Sequence, residues 1–362
     1  MEEIGPEEEI SDEIKNNELI NFYTYLRVVI FLILTLIGLF PNSIDRLIEK
    51  IEYELIDLFS KSIYEVKIPN IEKDPNFEYF CCFCSMGKEE NLYIKEIINY
   101  YQNIGVDKFI IGDNNFQNGE KFSDVIQDYI NKGIVDIKDI RGIKIKQEIF
   151  FSDVYNEYKK KCKWMTFFDF DEYLVMFNKE GKHISLLEFL NKDFDNCENI
   201  LINWLMYGDD GYIYYNNKPT IKRFRTPDFN NYANVFEKSI VRGNLKQTIF
   251  GKDKSNHIAN PNLKLCNSLG KNPNSTKHLN TLEKIKNAKA LLMHFNTKSA
   301  EEYAKKIERG YPNYFIQPLS NRMKMFFTHN KLTRKKIKFF EKYFHTYLHK
   351  EDKFRKITLD FS

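Results

Sequence analysis

The segment with the most chemistry in it is Trp164-Met165-Thr166-Phe167-Phe168-Asp169-Phe170-Asp171-Glu172-Tyr173. An apolar run of strand character leads into three carboxylates. If the strand continues, Asp169 and Asp171 fall on one side, because strand residues two apart share a face. Carboxylates placed together repel, raise each other's pKa and call for a compensating cation or donor. Magnesium or manganese would supply it, since these ions favour oxygen ligands and commonly join one or two carboxylates to substrate phosphates. The alternative is an acidic surface turn after a buried strand. Phosphatases with an aspartyl nucleophile also begin with a strand ending in Asp-x-Asp. They want Thr or Val two positions after the second Asp, whereas Glu172 and Tyr173 follow here.

The other polar positions each have a plain reading. His294 alone is a packed core histidine. Asp113-Asn114-Asn115 is a good turn, and Lys238 and Lys298 are solvated lysines. Glu301 and Glu302 complement a helix dipole, and Trp204 and Tyr207 are core aromatics. Asp209 and Asp210 sit in a turn bounded by Gly208 and Gly211, after an apolar strand.

The elements that must position these residues begin after Pro75. Strand-like runs (YFCCFCSM, KFIIGDN, IVDIKDI) alternate with helical ones (LYIKEIINYYQNIG, FSDVIQDYINKG), the sign of an α/β domain with parallel strands. Gly105 and Gly133 fall where helices should end, as C-terminal caps.

Lys and Arg number 54 against 51 Asp and Glu, a net charge of +3, which argues against a uniformly basic nucleic-acid binder. With 43% hydrophobic and 15% aromatic residues the chain has material for a large core. Six cysteines in this length make neither a disulfide scaffold nor a zinc-knuckle pattern. Residues 1–18 hold eight acids and one base and read as an acidic, solvated tail. In residues 19–44 the only charge is Arg27, and Val28 to Phe40 is almost wholly apolar, so a membrane anchor is expected, with a buried helix as the alternative. Residues 45–75 read as an amphipathic stem helix and linker. Residues 316–362 read as a basic helical tail whose phenylalanines pack on the domain, with an anionic membrane surface or an acidic acceptor as the other partner.

Several ordered segments resemble those of one enzyme family. Phe80 to Asn115 carries Lys88-Glu89-Glu90, then Gly105-Val106-Asp107, then Asp113-Asn114. The Asp-x-Asp-Glu follows, then Trp204-Leu205-Met206-Tyr207-Gly208-Asp209-Asp210-Gly211 and the strand Lys238-Ser239-Ile240-Val241-Arg242. The closing block is His294-Phe295-Asn296-Thr297-Lys298-Ser299-Ala300-Glu301-Glu302-Tyr303, with Lys306 and Arg309-Gly310 after it. In order and spacing these segments resemble glycosyltransferase family 92 and related family 2-like glycosyltransferases, over about residues 78 to 312. Glu89 stands where that pattern has Asn, a Ser is missing after Asp113-Asn114, and Phe295 stands where it has Tyr.

The resemblance implies an α/β domain at 76–315 with the GT-A-like nucleotide-diphospho-sugar transferase fold, an open, mostly parallel sheet with helices on both faces. It implies transfer, by inversion, from a nucleotide-sugar donor, a UDP-sugar foremost, to a glycan or glycolipid acceptor. Mn2+ or Mg2+ would be held by Asp169, Asp171 and His294 and would stabilise the leaving diphosphate. Lys88, Glu90, Asp113, Asn114, Asp169, Lys238 and Lys298 are the expected donor-binding residues. Asp209 or Asp210 is the expected general base, ahead of Glu301 and Glu302, and Trp204 and Tyr207 could stack on sugar. A catalytically silent carbohydrate-binding relative on the same fold is the competing expectation. The anchor implies a single-pass membrane location, Golgi-type in a eukaryote and inner-membrane in a bacterium.

Overall fold

The structure, a computed structural model, describes residues 66–69, residues 74–310 apart from 193, 195, 248, 251–258, 261, 270–284 and 286, and residues 319–344 apart from 332. The acidic tail, the apolar segment 19–44, the stem helix and residues 345–362 lie outside the described residues. Among the described residues no helix is long and apolar enough to cross a membrane.

The first half is built as the alternation of runs requires. Strand β1 (Tyr79–Gly87), helix α1 (Asn91–Asn103), β2 (Lys108–Asp113), α2 (Ser123–Asn131), β3 (Val135–Asp139), α3 (Gln147–Tyr158) and β4 (Cys162–Phe167) follow one another. These strands lie in the order β3-β2-β1-β4, all parallel. Beyond them come β5 (Glu172–Met176), α4 (Leu186–Lys192), β6 (Asn199–Met206), the short α5 (Thr220–Arg223), β7 (Glu237–Arg242), β8 (Leu265–Asn267), β9 (Ala290–His294) and α6 (Ala300–Arg309). The sheet continues β4-β7-β6-β9-β5, with β8 on β6. Strand β7 is antiparallel to both neighbours and β5 is antiparallel to β9. Strand β6 is parallel to β8 and β9, so the open sheet is mixed but, as expected, parallel in most of its pairings: β1–β2, β1–β4, β2–β3, β6–β8 and β6–β9.

Alternation along β1 sorts its side chains to the two faces. Cys81 and Phe83 join a core under α1 and α2 with Ile94, Ile97 and Ile126, while Cys82, Cys84 and Met86 join a second core under α3 with Phe151, Val154 and Tyr155. Gly105 (φ 106°) and Gly133 (φ 69°) end α1 and α2 in the left-handed region, where a side chain would be strained. Two disulfides, Cys82–Cys162 and Cys197–Cys266, tie β1 to β4 and the start of β6 to β8. Neither pairing was readable from spacing, since sequence alone does not give connectivity.

Helices α7 (Leu319–His329) and α8 (Arg334–Tyr343) follow. Phe326, Phe340 and Phe344 are buried with Tyr303 and Ile307 of α6, so the phenylalanine face of the basic segment packs on the domain.

Candidate active site

Strand β4 stops at Phe167, and residues 168–171 turn the chain into β5. Phe168 and Phe170 are the reason: both are buried, against Tyr101 and Phe122 respectively, and so they pin the turn to the core. Glu172 closes it by accepting a hydrogen bond from Asp169 N at 2.9 Å. Continued extension of the strand through Asp171 is thus corrected to a tight turn, and the two aspartates meet different partners. Asp169 accepts from Lys238 Nζ at 2.7 Å and from Gln147 Nε2 at 2.7 Å. Asp171 Oδ2 accepts from Lys306 Nζ at 2.7 Å, and its Oδ1 lies 3.6 Å from His294 Nε2.

The pairing register brings His294 there, because it stands opposite Glu172 at the end of β9 and beside Met206 at the end of β6. The Trp204 ring lies 4.3 Å from the imidazole. His294 Nδ1 is buried and takes no hydrogen bond among the described residues.

Burial alone would push every carboxyl here upward, and the partners decide the outcome. For Asp171, Lys306 and His294 outweigh burial and hold the carboxyl well below its ordinary range. Asp169 is held down by Lys238 against burial and the neighbouring Asp171. Glu172, with no exposed surface, is pushed by burial to about 7 despite Lys238. Lys238 is itself fully buried, and Asp169 and Glu172 overcome that burial to raise it to about 12.

A cleft of about 660 Å³ opens beside this cluster, lined by Glu90, Tyr93, Phe116, Lys298, Lys306 and Arg309 among others. Arg309 pairs with Glu90 at 2.6 Å and donates to Lys88 O at 2.5 Å, tying α6 to the end of β1. Lys298 Nζ stands 3.4 Å over the Tyr93 ring and 3.8 Å from Glu90. Lys88 lies over the Phe116 ring at 3.5 Å. At the end of β2, Asp113 is buried and accepts from the backbone N–H of Asn115 and of Phe122, while Asn114 N donates to Gly87 O. Asp113 therefore shapes the 114–122 loop.

The turn after β6 separates its two aspartates. Asp209 is buried, holds Lys336 of α8 at 2.5 Å and accepts from Gly211 N at 2.9 Å. Its own N–H donates to Asn330 at 2.6 Å. Asp210 is exposed, with φ 45°, and accepts from the backbone N–H of Arg225 and Thr226. Glu302 is fixed by a capping box with Ser299 and by Arg223 at 2.6 and 2.8 Å, and Glu301 by Tyr215 N and Lys305. Tyr207 is a core residue against Phe295.

Of the expected metal ligands, Asp171 and His294 converge, while Asp169 turns to Lys238 and Gln147. Among the described residues no three of His, Cys, Asp or Glu come together as a ready cage. A magnesium or manganese ion needs only one or two protein ligands where substrate phosphates supply the rest, and the Asp171–His294 pair fits that demand. Lys238, expected on the donor, has no exposed surface and is paired with Asp169 and Glu172. Lys306, Arg309, Gln147 and Lys336 were given no role on sequence grounds. For Lys306 and Arg309 the signal was the spacing 302, 306, 309, which places them on one side of a helix beginning at the closing block.

No curated protein matches the chain in sequence. The family description Glycosyltransferase family 92 matches residues 77–337, from the start of β1 into α8. With that match the aspartyl-phosphatase and silent-scaffold alternatives give way, and the chain belongs to glycosyltransferase family 92 and is a glycosyltransferase.

Proposed function

We propose that the enzyme moves a sugar from a nucleotide-sugar donor, a UDP-sugar foremost, to a hydroxyl of a glycan or glycolipid acceptor, using Mn2+ or Mg2+ at Asp171 and His294. The observation that carries this reading is the 3.6 Å approach of Asp171 Oδ1 to His294 Nε2, next to Lys306, which also lines the cleft. When bound, the cation stabilises the charge of the leaving diphosphate as a Lewis acid. Asp169 stands beside the pair, kept ionised by Lys238 and oriented by Gln147. Lys298 and Arg309 bring positive charge to the cleft, and Lys88, Glu90 and Asn114 edge the donor side, where Asp113 sets the loop.

A single inverting displacement needs a base for the acceptor proton. Asp210, exposed at the turn after β6, takes that role, and Asp209, bound to Lys336, holds the turn in place. Two disulfides support maturation in an oxidising compartment. The nearly chargeless run 19–44 supports a single-pass membrane anchor preceding the domain, Golgi-type in a eukaryote and inner-membrane in a bacterium. The test is a screen of nucleotide sugars for donor hydrolysis with Mn2+, with Mg2+ and with a chelator. Turnover of one donor that the chelator removes is the expected result, and turnover indifferent to the chelator rejects the metal.

A further inference from the structure

Lys306 occupies an unusual place. Its ammonium lies 2.7 Å from Asp171 Oδ2, 2.6 Å from Asn296 Oδ1 and 2.9 Å from Asn296 O, and its side chain also lines the cleft. The other oxygen of the same carboxylate faces His294. A cation of the protein's own therefore sits on the carboxylate to which the metal is assigned. The other cations of the cleft differ: Arg309 and Lys298 are set on Glu90 and Lys305 on Glu301, not on a metal-site carboxylate.

We propose that Lys306 is an exchangeable counter-ion, which neutralises Asp171 while the metal position is vacant, yields it to the divalent cation and then meets the diphosphate that enters with that cation. The inference rests on the metal reading given above and adds a residue to it. A buried carboxylate without a partner is costly, so Asp171 needs a cation in every state of the site. An ammonium and a divalent ion on one carboxylate repel, so the two compete. A lysine suits such an exchange, being a compact charge on a flexible four-carbon stem with three donors. The Asn296 acceptors hold it in the waiting position, and helix α6 presents it at the cleft wall, within the space a diphosphate would enter.

Competition and cooperation give effects of opposite sign, which a merely structural lysine would not. With Mn2+ alone, followed by the resonance of the free ion, Lys306→Gln is expected to bind about fivefold tighter than the unaltered protein, because the competitor is gone. With UDP titrated at saturating Mn2+, the same variant is expected to bind about tenfold more weakly, because a charge-assisted hydrogen bond is gone. Lys306→Arg keeps the charge and should leave Mn2+ affinity near that of the unaltered protein. In the unaltered protein, amine labelling of Lys306, read by peptide mass, should rise with Mn2+ alone and fall when UDP is added with it. That measurement decides the matter even if Lys306→Gln does not fold. Equal or weaker Mn2+ binding by folded Lys306→Gln, or labelling indifferent to Mn2+, overturns the exchange. If the unaltered protein binds Mn2+ no better than Asp171→Asn does, the metal reading itself fails. Mn2+ binding that depends on Asp171 with no gain in Lys306→Gln sinks the lysine's role alone.

Discussion

Lys238 Nζ lies 2.7 Å from Asp169 Oδ2 on a side chain with no exposed surface, and 3.7 Å from Glu172 Oε1. One buried cation on β7 thus serves two carboxylates of the turn between β4 and β5, and the turn's shape depends on it. Removing one member of a buried ion pair leaves an uncompensated charge and costs about 3–5 kcal/mol. Lys238→Met should lower stability by that order in urea unfolding. A midpoint unchanged from the parent would mean that the turn holds without the lysine.

Acid should weaken the fold in two successive windows that meet near pH 4. His183, beside Phe177, is held by burial at about 4, below its ordinary 6.5. Below 6.5 the unfolded chain takes up a proton that the folded chain refuses, so stability falls as pH drops from 6.5 towards 4. Glu302 is buried, yet Arg223, Lys298 and Ser299 bring it to about 2 from an ordinary 4.5. Its contribution is complete above 4.5 and is lost as pH falls towards 2. Urea midpoints across pH should flatten in the upper window for His183→Phe and in the lower window for Glu302→Gln. Parallel curves for parent and variants would reject the assignment.

The turn after β6 should divide structure from catalysis. Asp210→Asn is expected to lower kcat by about 10²–10⁴, the usual contribution of a general base, with donor KM little changed. Lys336→Met leaves Asp209 buried without its cation, and should cost about 3 kcal/mol of stability. Unfolding curves and steady-state kinetics on both variants check this. Full turnover by Asp210→Asn would move the base elsewhere.

The first half of the sheet was legible because strand-like and helical runs alternate there, and helices α1 and α2 end at glycines with positive φ, Gly105 and Gly133. The Asp-x-Asp turn was legible as a place but not as a shape. Its geometry depends on Phe168 and Phe170 finding Tyr101 and Phe122, contacts between residues far apart in sequence. Asp169 and Asp171 look equivalent in the sequence, yet Lys238, 69 residues on, takes one and Lys306, 135 residues on, takes the other. Asp209 and Asp210 could not be told apart for the same reason, since α8 supplies the lysine that distinguishes them. The Asp171–His294 approach followed from strand register, and the ordered motifs anticipated it without any geometry.

The most direct test of a metal held by Asp171 and His294 is Mn2+-dependent sugar transfer by Asp171→Asn and His294→Ala, each first confirmed as folded by its unfolding curve. Loss of transfer in both variants, with loss of Mn2+-dependent UDP binding in calorimetry, is the expected result. Transfer at the parent rate by either folded variant would contradict the placement of the metal.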